Sequence, residues 1–189
     1  MILAIAVILG LAAGLTRAWF VKRVYQFPSL KAVWFVLLAF LPQFLAFNFS
    51  FTRSRIPDAF IPAILITTQL CLLVFAWLNR RQPGMWLMGV GLLLNFTVIA
   101  LNGGMMPISP TTADRITIPG AQVDLQLGER VEFGKDVLLE EKDTRLAFLS
   151  DRFTFPDGIP LLFAFSLGDI LISAGAFWLF WSLGTPGKS

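Results

Sequence analysis

The stretch that decides the fold is "FSLGDILISAGAFWLFW", Phe165 to Trp181, apolar almost throughout and carrying one carboxylate, Asp169. The chain around it has 189 residues, of which 56% are hydrophobic and 14% charged, with no histidine. Its mean hydropathy is +0.73. A soluble core of this size needs a polar exterior, and too few polar residues are present to supply one. The composition therefore points to a polytopic membrane protein.

A bilayer core is crossed by roughly 20 apolar residues in helical form. Five segments meet that length: Met1 to about Phe20, about Ala32 to Phe51, about Phe60 to Asn79, about Met85 to Asn102, and about Ile159 to Leu183. The expected fold is a single all-α integral membrane domain over residues 1–189, a bundle of five transmembrane helices. A long outer loop, residues 105–158, separates helices four and five and holds ten of the twelve acidic residues. The first segment reads as a retained helix rather than a cleaved signal, because no basic residue precedes its apolar run.

Lysine and arginine near helix ends set orientation. Lys22-Arg23 and Arg80-Arg81 form the tight basic clusters, which places their side in the cytoplasm. The N-terminus and the 105–158 loop then face outward, the C-terminus faces inward, and the expected location is the inner (plasma) membrane. Trp19, Trp34, Trp77, Trp86, Trp178 and Trp181 all fall near the cytoplasmic helix ends, where an aromatic belt belongs.

With Cys71 the lone cysteine and histidine absent, no disulfide within the chain, Cys/His metal site or His-based general base can be built. No cofactor and no catalytic set is expected. Nucleic acid is not an expected partner either, since no basic patch interleaves with exposed aromatics. Membrane lipids are expected partners, with other membrane subunits possible.

Counted from Ile159, Asp169 lies about 15 Å into helix five, near the midplane. Asn95, Gln69 and Gln43 fall near the middle of helices four, three and two. Ser166, Asp169 and Ser173 share one helical face by spacing. These residues are expected to form a polar layer in which Asp169 faces inward and bonds Asn95. Such a layer is either a packing network or a pocket for a head group, ion or proton.

Helix four ends in "NGGMMPIS", with Asn102, Gly103 and Gly104 suited to positive φ and Pro107 blocking further helix. This is either a helix stop or a backbone nest for an anion. In "SPTTAD", Ser109 reads as an N-cap, Pro110 as the first position of a short helix and Asp114 as part of its first turn. "AQVDLQL" and "RVEF" alternate weakly, as a hairpin or two short strands would. "DTRLAFLSDRF" sets Asp143, Arg145, Asp151 and Arg152 around an apolar centre, as a lid on the bundle would.

The runs "NFTVIALNGGMMP", "DTRLAFLSD" and "FSLGD" together resemble an uncharacterised family of small bacterial integral membrane proteins, a domain of unknown function. Asn102, Gly103, Gly104 and Pro107 match its Asn-Gly-Gly-x-x-Pro turn, and Ser166, Gly168 and Asp169 its Ser-x-Gly-Asp motif. Ser150 stands before Asp151 where a glycine is expected. The resemblance implies about five helices with a long outer loop before the last, and no activity. The leading functional reading is a non-catalytic subunit or assembly factor of a larger membrane complex. The alternatives are a binder or carrier of a small amphipathic molecule, such as a lipid or quinone head group, around Asp169, and a membrane enzyme.

Overall fold

In a computed structural model of the protein, the described residues are 1–22, 24–25, 29–53, 55–117, 126–131, 134–156, 159 and 161–182. Most of the chain is helical. Five apolar helices dominate: α1 (Ile2–Phe20), α2 (Trp34–Phe47), α4 (Ile61–Leu78), α5 (Met85–Leu101) and α7 (Leu167–Ser182). Two short helices, α3 (Ser50–Arg53) and α6 (Pro110–Ile116), lie between them. Two spans, Ile2–Phe20 and Asp58–Leu78, are long and apolar enough to cross a membrane; α2, α5 and α7 are shorter.

Two expected boundaries move. The second segment stops at Phe47 and resumes as α3. The last helix does not begin at Ile159 but at Leu167, so residues 161–165 are not helical. Its expected end, Leu183, lies outside the described residues. The late start has two local causes. Phe153 and Phe165 exchange backbone hydrogen bonds, and their rings stack at 5.9 Å. Then Ser166 opens α7 as its cap.

The helices pack as a row in the order α1, α7, α5, α4, α2, so the last helix is inserted between the first and α5. Glycines set the contacts. α5 and α7 run antiparallel, with Gly84 against Gly175 and Gly91 against Gly168, one heptad apart on each helix. A Cβ on Gly91 would stand 2.5 Å from the Gly168 carbonyl oxygen, and one on Gly175 would stand 2.6 Å from that of Gly84. On α1, Gly10 and Gly14 meet the backbone of Phe177 and Phe180, so α1 and α7 run parallel. Small residues at both seams let backbones approach within side-chain-free distance, where dispersion contacts are dense.

All six tryptophans lie across the row, near the same end of each helix's long axis, and are exposed. Trp77 and Trp86 meet edge to face at 6.3 Å. The Arg17 guanidinium lies over the Trp181 ring and that of Arg80 over Trp77. The flanks between the ends are covered with exposed leucine, isoleucine and phenylalanine, among them Ile8, Leu9, Leu37, Phe40 and Leu93.

The other end carries a cap. Strands β1 (Met106–Ile108) and β2 (Asp136–Leu138) pair in parallel, Pro107 opposite Val137. Arg130 bridges Val137 on one side of this pair and Asp151 bridges Ile108 on the other. The strand expected in "RVEF" is thus represented by Arg130 and Val131, whereas Ala121 to Leu125 of "AQVDLQL" lie outside the described residues. The cap has its own small core of Ile108, Ala113, Val131 and Leu138. Leu149 joins the main core with Ile61, Leu65, Val98, Ile99 and Met106, and Leu146 packs beside it. The "DTRLAFLSDRF" run therefore lies on the helices through its apolar centre.

Candidate functional site

Each site element starts from a local rule. At the end of α5, Gly103 and Gly104 take φ of 74° and 84°, and the Gly104 N–H donates to the Ile99 carbonyl. That is the six-to-one bond of a Schellman helix stop. The Gly104 amide is thereby committed to the helix, as a stop requires, rather than turned toward an anion. Asn102 bonds both backbone groups of Arg145: its Nδ2 donates to the carbonyl and its Oδ1 accepts from the N–H. Asn79, at the end of α4, grips Lys31 in the same two-bonded way. Two asparagines at helix ends thus each hold a distant backbone segment in place.

From the stop the chain enters β1, whose Pro107 carbonyl accepts from the Asp151 N–H. Ser109 then caps α6, accepting from the Thr112 N–H. Asp114 is the fifth residue of α6 and lies beyond its first turn, one residue later than expected for that role.

The start of α7 is a reciprocal capping box. Ser166 Oγ accepts from the Asp169 N–H at 3.0 Å, and Asp169 Oδ2 accepts from the Ser166 N–H at 3.3 Å. Asn95, buried on α5, completes the group: its Nδ2 donates to Asp169 Oδ1 at 2.8 Å and its Oδ1 accepts from Ser166 Oγ at 2.8 Å. The expected Asn95–Asp169 contact is present, but the depth argument behind it is corrected. Asp169 is the third residue of α7, in its first turn, so it does not sit at mid-helix. There its charge meets the positive end of the helix dipole and needs no burial at a midplane to be explained.

The wider polar layer does not assemble. Gln43 Nε2 donates to Thr68 Oγ1 at 2.6 Å, joining α2 to α4. Buried Gln69 Oε1 and Ser173 Oγ have no hydrogen-bond partner among the described residues. Two separate groups, Asn95–Ser166–Asp169 and Gln43–Thr68, thus replace one layer, because residues at equal sequence depth on packed helices need not face each other.

What the structure does bring to Asp169 is a lysine and two further carboxylates. Lys135 Nζ pairs with Asp151 Oδ2 and, at 3.0 Å, with Asp136 Oδ1. Its side chain keeps 37% exposure, while that of Asp151 keeps 1%. Burial opposes the charge on Lys135, but Asp136, Asp151 and Asp169 outweigh it and raise its pKa. Burial pushes the Asp151 carboxyl well above the usual carboxylate range; Lys135 opposes that, and Asp136 and Asp169 add to it. Lys135 and Asp136 were not legible as site residues, since "GKD" in a polar loop carries no signal of burial. Of the three loop candidates, Asp151 belongs to the cluster. Arg145 reaches the site through its backbone, and Asp143 stays exposed on its surface turn.

Ser150 explains the missing glycine. Its φ is −69° and ψ 172°, extended backbone open to any residue, and its Oγ donates to the Ala147 carbonyl. The site as a whole joins three parts of the chain: Lys135 and Asp151 from the cap, Asn95 from α5 and Asp169 from α7. Among the described residues, no group of three or more aspartate, glutamate or cysteine side chains is placed to hold a metal.

No curated protein and no solved structure matches the chain. A family model does, over residues 28–181, which takes in the helix stop, the capping box and the whole Lys135 cluster. The chain belongs to the family described as "Family of unknown function (DUF5317)".

Proposed function

We propose that this is a five-span plasma-membrane protein, N-terminus outside and C-terminus inside, serving as a non-catalytic subunit of a larger membrane assembly. One observation carries the reading: the helices pack as a row with α1 and α2 at its two ends. Each end helix has a face of large apolar side chains that no described residue covers, as at Leu9 and Leu37. In lipid such a face costs nothing, whereas in water it is a large unpartnered patch. The tryptophan girdle at one end supports the membrane setting and the polar cap supports an aqueous face at the other.

Two measurements on whole cells test this, in a Cys71→Ser background. A cysteine at Lys142, exposed on the cap, is expected to react with an impermeant maleimide, and one at Arg81 is not. Reaction at Arg81 alone would reverse the orientation. A photocrosslinker at Leu9 or Leu37 is expected to capture one discrete protein; lipid adducts alone at both positions would refute the subunit role.

A second reading, binding of an amphipathic molecule, is favoured by an apolar groove between α2 and α4. It is not favoured at Asp169, whose two carboxylate oxygens are taken by Asn95 and Ser166.

A further inference from the structure

The groove between α2 and α4 has a volume of about 580 Å³, within the roughly 300–1,000 Å³ range of small-molecule sites. Leu38 and Pro42 form one wall; Phe60, Ala63, Ile64 and Thr67 form the other. Arg55 and Pro57 stand at its mouth, on the cap end of the row. From Phe60 to Thr67 the groove follows α4 for about 10 Å at helical rise. That is most of one leaflet of a hydrocarbon core about 30 Å thick.

The mouth carries a cation, Arg55. The Arg55 guanidinium lies 3.8 Å from the centre of the Phe51 ring, which holds it at the entrance. Among the described residues no carboxylate pairs with Arg55, and the nearest acid in sequence, Asp58, is taken by Arg130. A planar, permanently charged donor fork at head-group level, above an apolar slot that runs through most of one leaflet, complements a phosphate joined to an acyl chain.

We infer that this groove is a binding site for one anionic phospholipid of the outer leaflet, its phosphate on Arg55 and an acyl chain along Leu38, Ala63 and Thr67. The inference rests on the membrane placement proposed above but not on the subunit role. The slot takes the chain of any lipid; Arg55 supplies the selectivity for negative charge.

The test uses the full chain purified in mild detergent, stripped of lipid, and titrated with phosphatidylglycerol or phosphatidylcholine of identical chains. Bound lipid is counted by native mass spectrometry. Wild type is expected to retain phosphatidylglycerol about tenfold more tightly, the scale of one charge-assisted hydrogen-bonded contact. Glycerol phosphate, which lacks chains, is expected not to displace it. Arg55→Gln is expected to erase the preference by weakening phosphatidylglycerol retention more than that of phosphatidylcholine, whose choline already offsets its phosphate charge. Ala63→Trp, which fills the slot, is expected to remove both.

Equal retention of the two lipids by wild type would overturn the proposal, as would a preference that survives Arg55→Gln. If Ala63→Trp fails to fold, Arg55→Gln still decides, because it alters an exposed side chain at the groove mouth. A photocrosslinker at Ala63 that captured a protein segment instead of lipid would also overturn it. Failure of membrane insertion would appear first in the maleimide labelling, and so is distinguishable from failure of the lipid site.

Discussion

At the scale of single residues, the two glycines that end α5 are not equivalent. Both hold positive φ, which a side chain disfavours by about 1–2 kcal/mol. A Cβ on Gly103 would meet nothing within 4 Å, whereas one on Gly104 would stand 2.5 Å from Pro62 Cβ. Gly103→Ala is therefore expected to lower stability by about 1–2 kcal/mol. Gly104→Ala is expected to lower it further, because the start of α4 has to move. Thermal melts of the purified variants, followed by size-exclusion chromatography, check the order; a larger loss at Gly103 would contradict it. Ser150 teaches the complementary point. A family pattern that suggests glycine does not demand it where φ is negative, and an extended serine with a bonded hydroxyl fills the place.

At the scale of elements, α7 is positioned by its first turn. The Ser166–Asp169 box satisfies amide donors that the helix itself leaves free, and Asn95 ties that turn to α5. Asp169→Asn can keep the bond from Asn95 or the one from the Ser166 N–H with its single carbonyl oxygen. It is expected to cost about 0.5–1.5 kcal/mol, one hydrogen bond. Asp169→Leu loses both and leaves Asn95 Nδ2 buried without a partner, so about 2–4 kcal/mol is expected. Equal stability of the two variants in a denaturation series would remove Asp169 from this role. The seam beneath the box is equally demanding, since α5 and α7 approach where Gly84, Gly91, Gly168 and Gly175 carry no side chain.

At the scale of the whole molecule, the Lys135 cluster ties two segments of the cap together within electrostatic reach of Asp169 on α7, and its protonation links cap stability to pH. Burial raises the Asp151 carboxyl above its ordinary value of 3.8, so the folded state holds that proton more tightly than the unfolded chain does. The contribution is fully present below about pH 4 and is lost as pH rises through the folded value. Lys135, also raised, keeps its charge well past neutrality and loses its contribution only above its ordinary value of 10.5. Melting temperature is therefore expected to fall with rising pH more steeply in wild type than in Asp151→Asn. The difference between the two proteins isolates this one group from all other carboxylates. Identical slopes from about pH 4 to pH 8 would show that Asp151 does not feel its burial.

The sequence by itself determined what short-range rules control. The five apolar segments follow from hydropathy, the Asn-Gly-Gly stop from the need for positive φ, and the Ser109 cap from an unpaired amide one turn away. Each of these rests on interactions within about six residues. The start of α7 lay at the edge of that reach. The apolar run from Leu161 to Phe165 is equally compatible with helix and with extended chain, and its pairing with Phe153 chose the second. Only the tertiary structure decided that α7 stands between α1 and α5, and that Lys135, Asp151, Asn95 and Asp169 converge. Hydropathy states how much of a helix avoids water, but in an apolar chain it does not state which face meets which neighbour. That choice is made by glycine seams and polar pairs between residues far apart in sequence, as Gly10 with Phe177 and Tyr25 with Phe180.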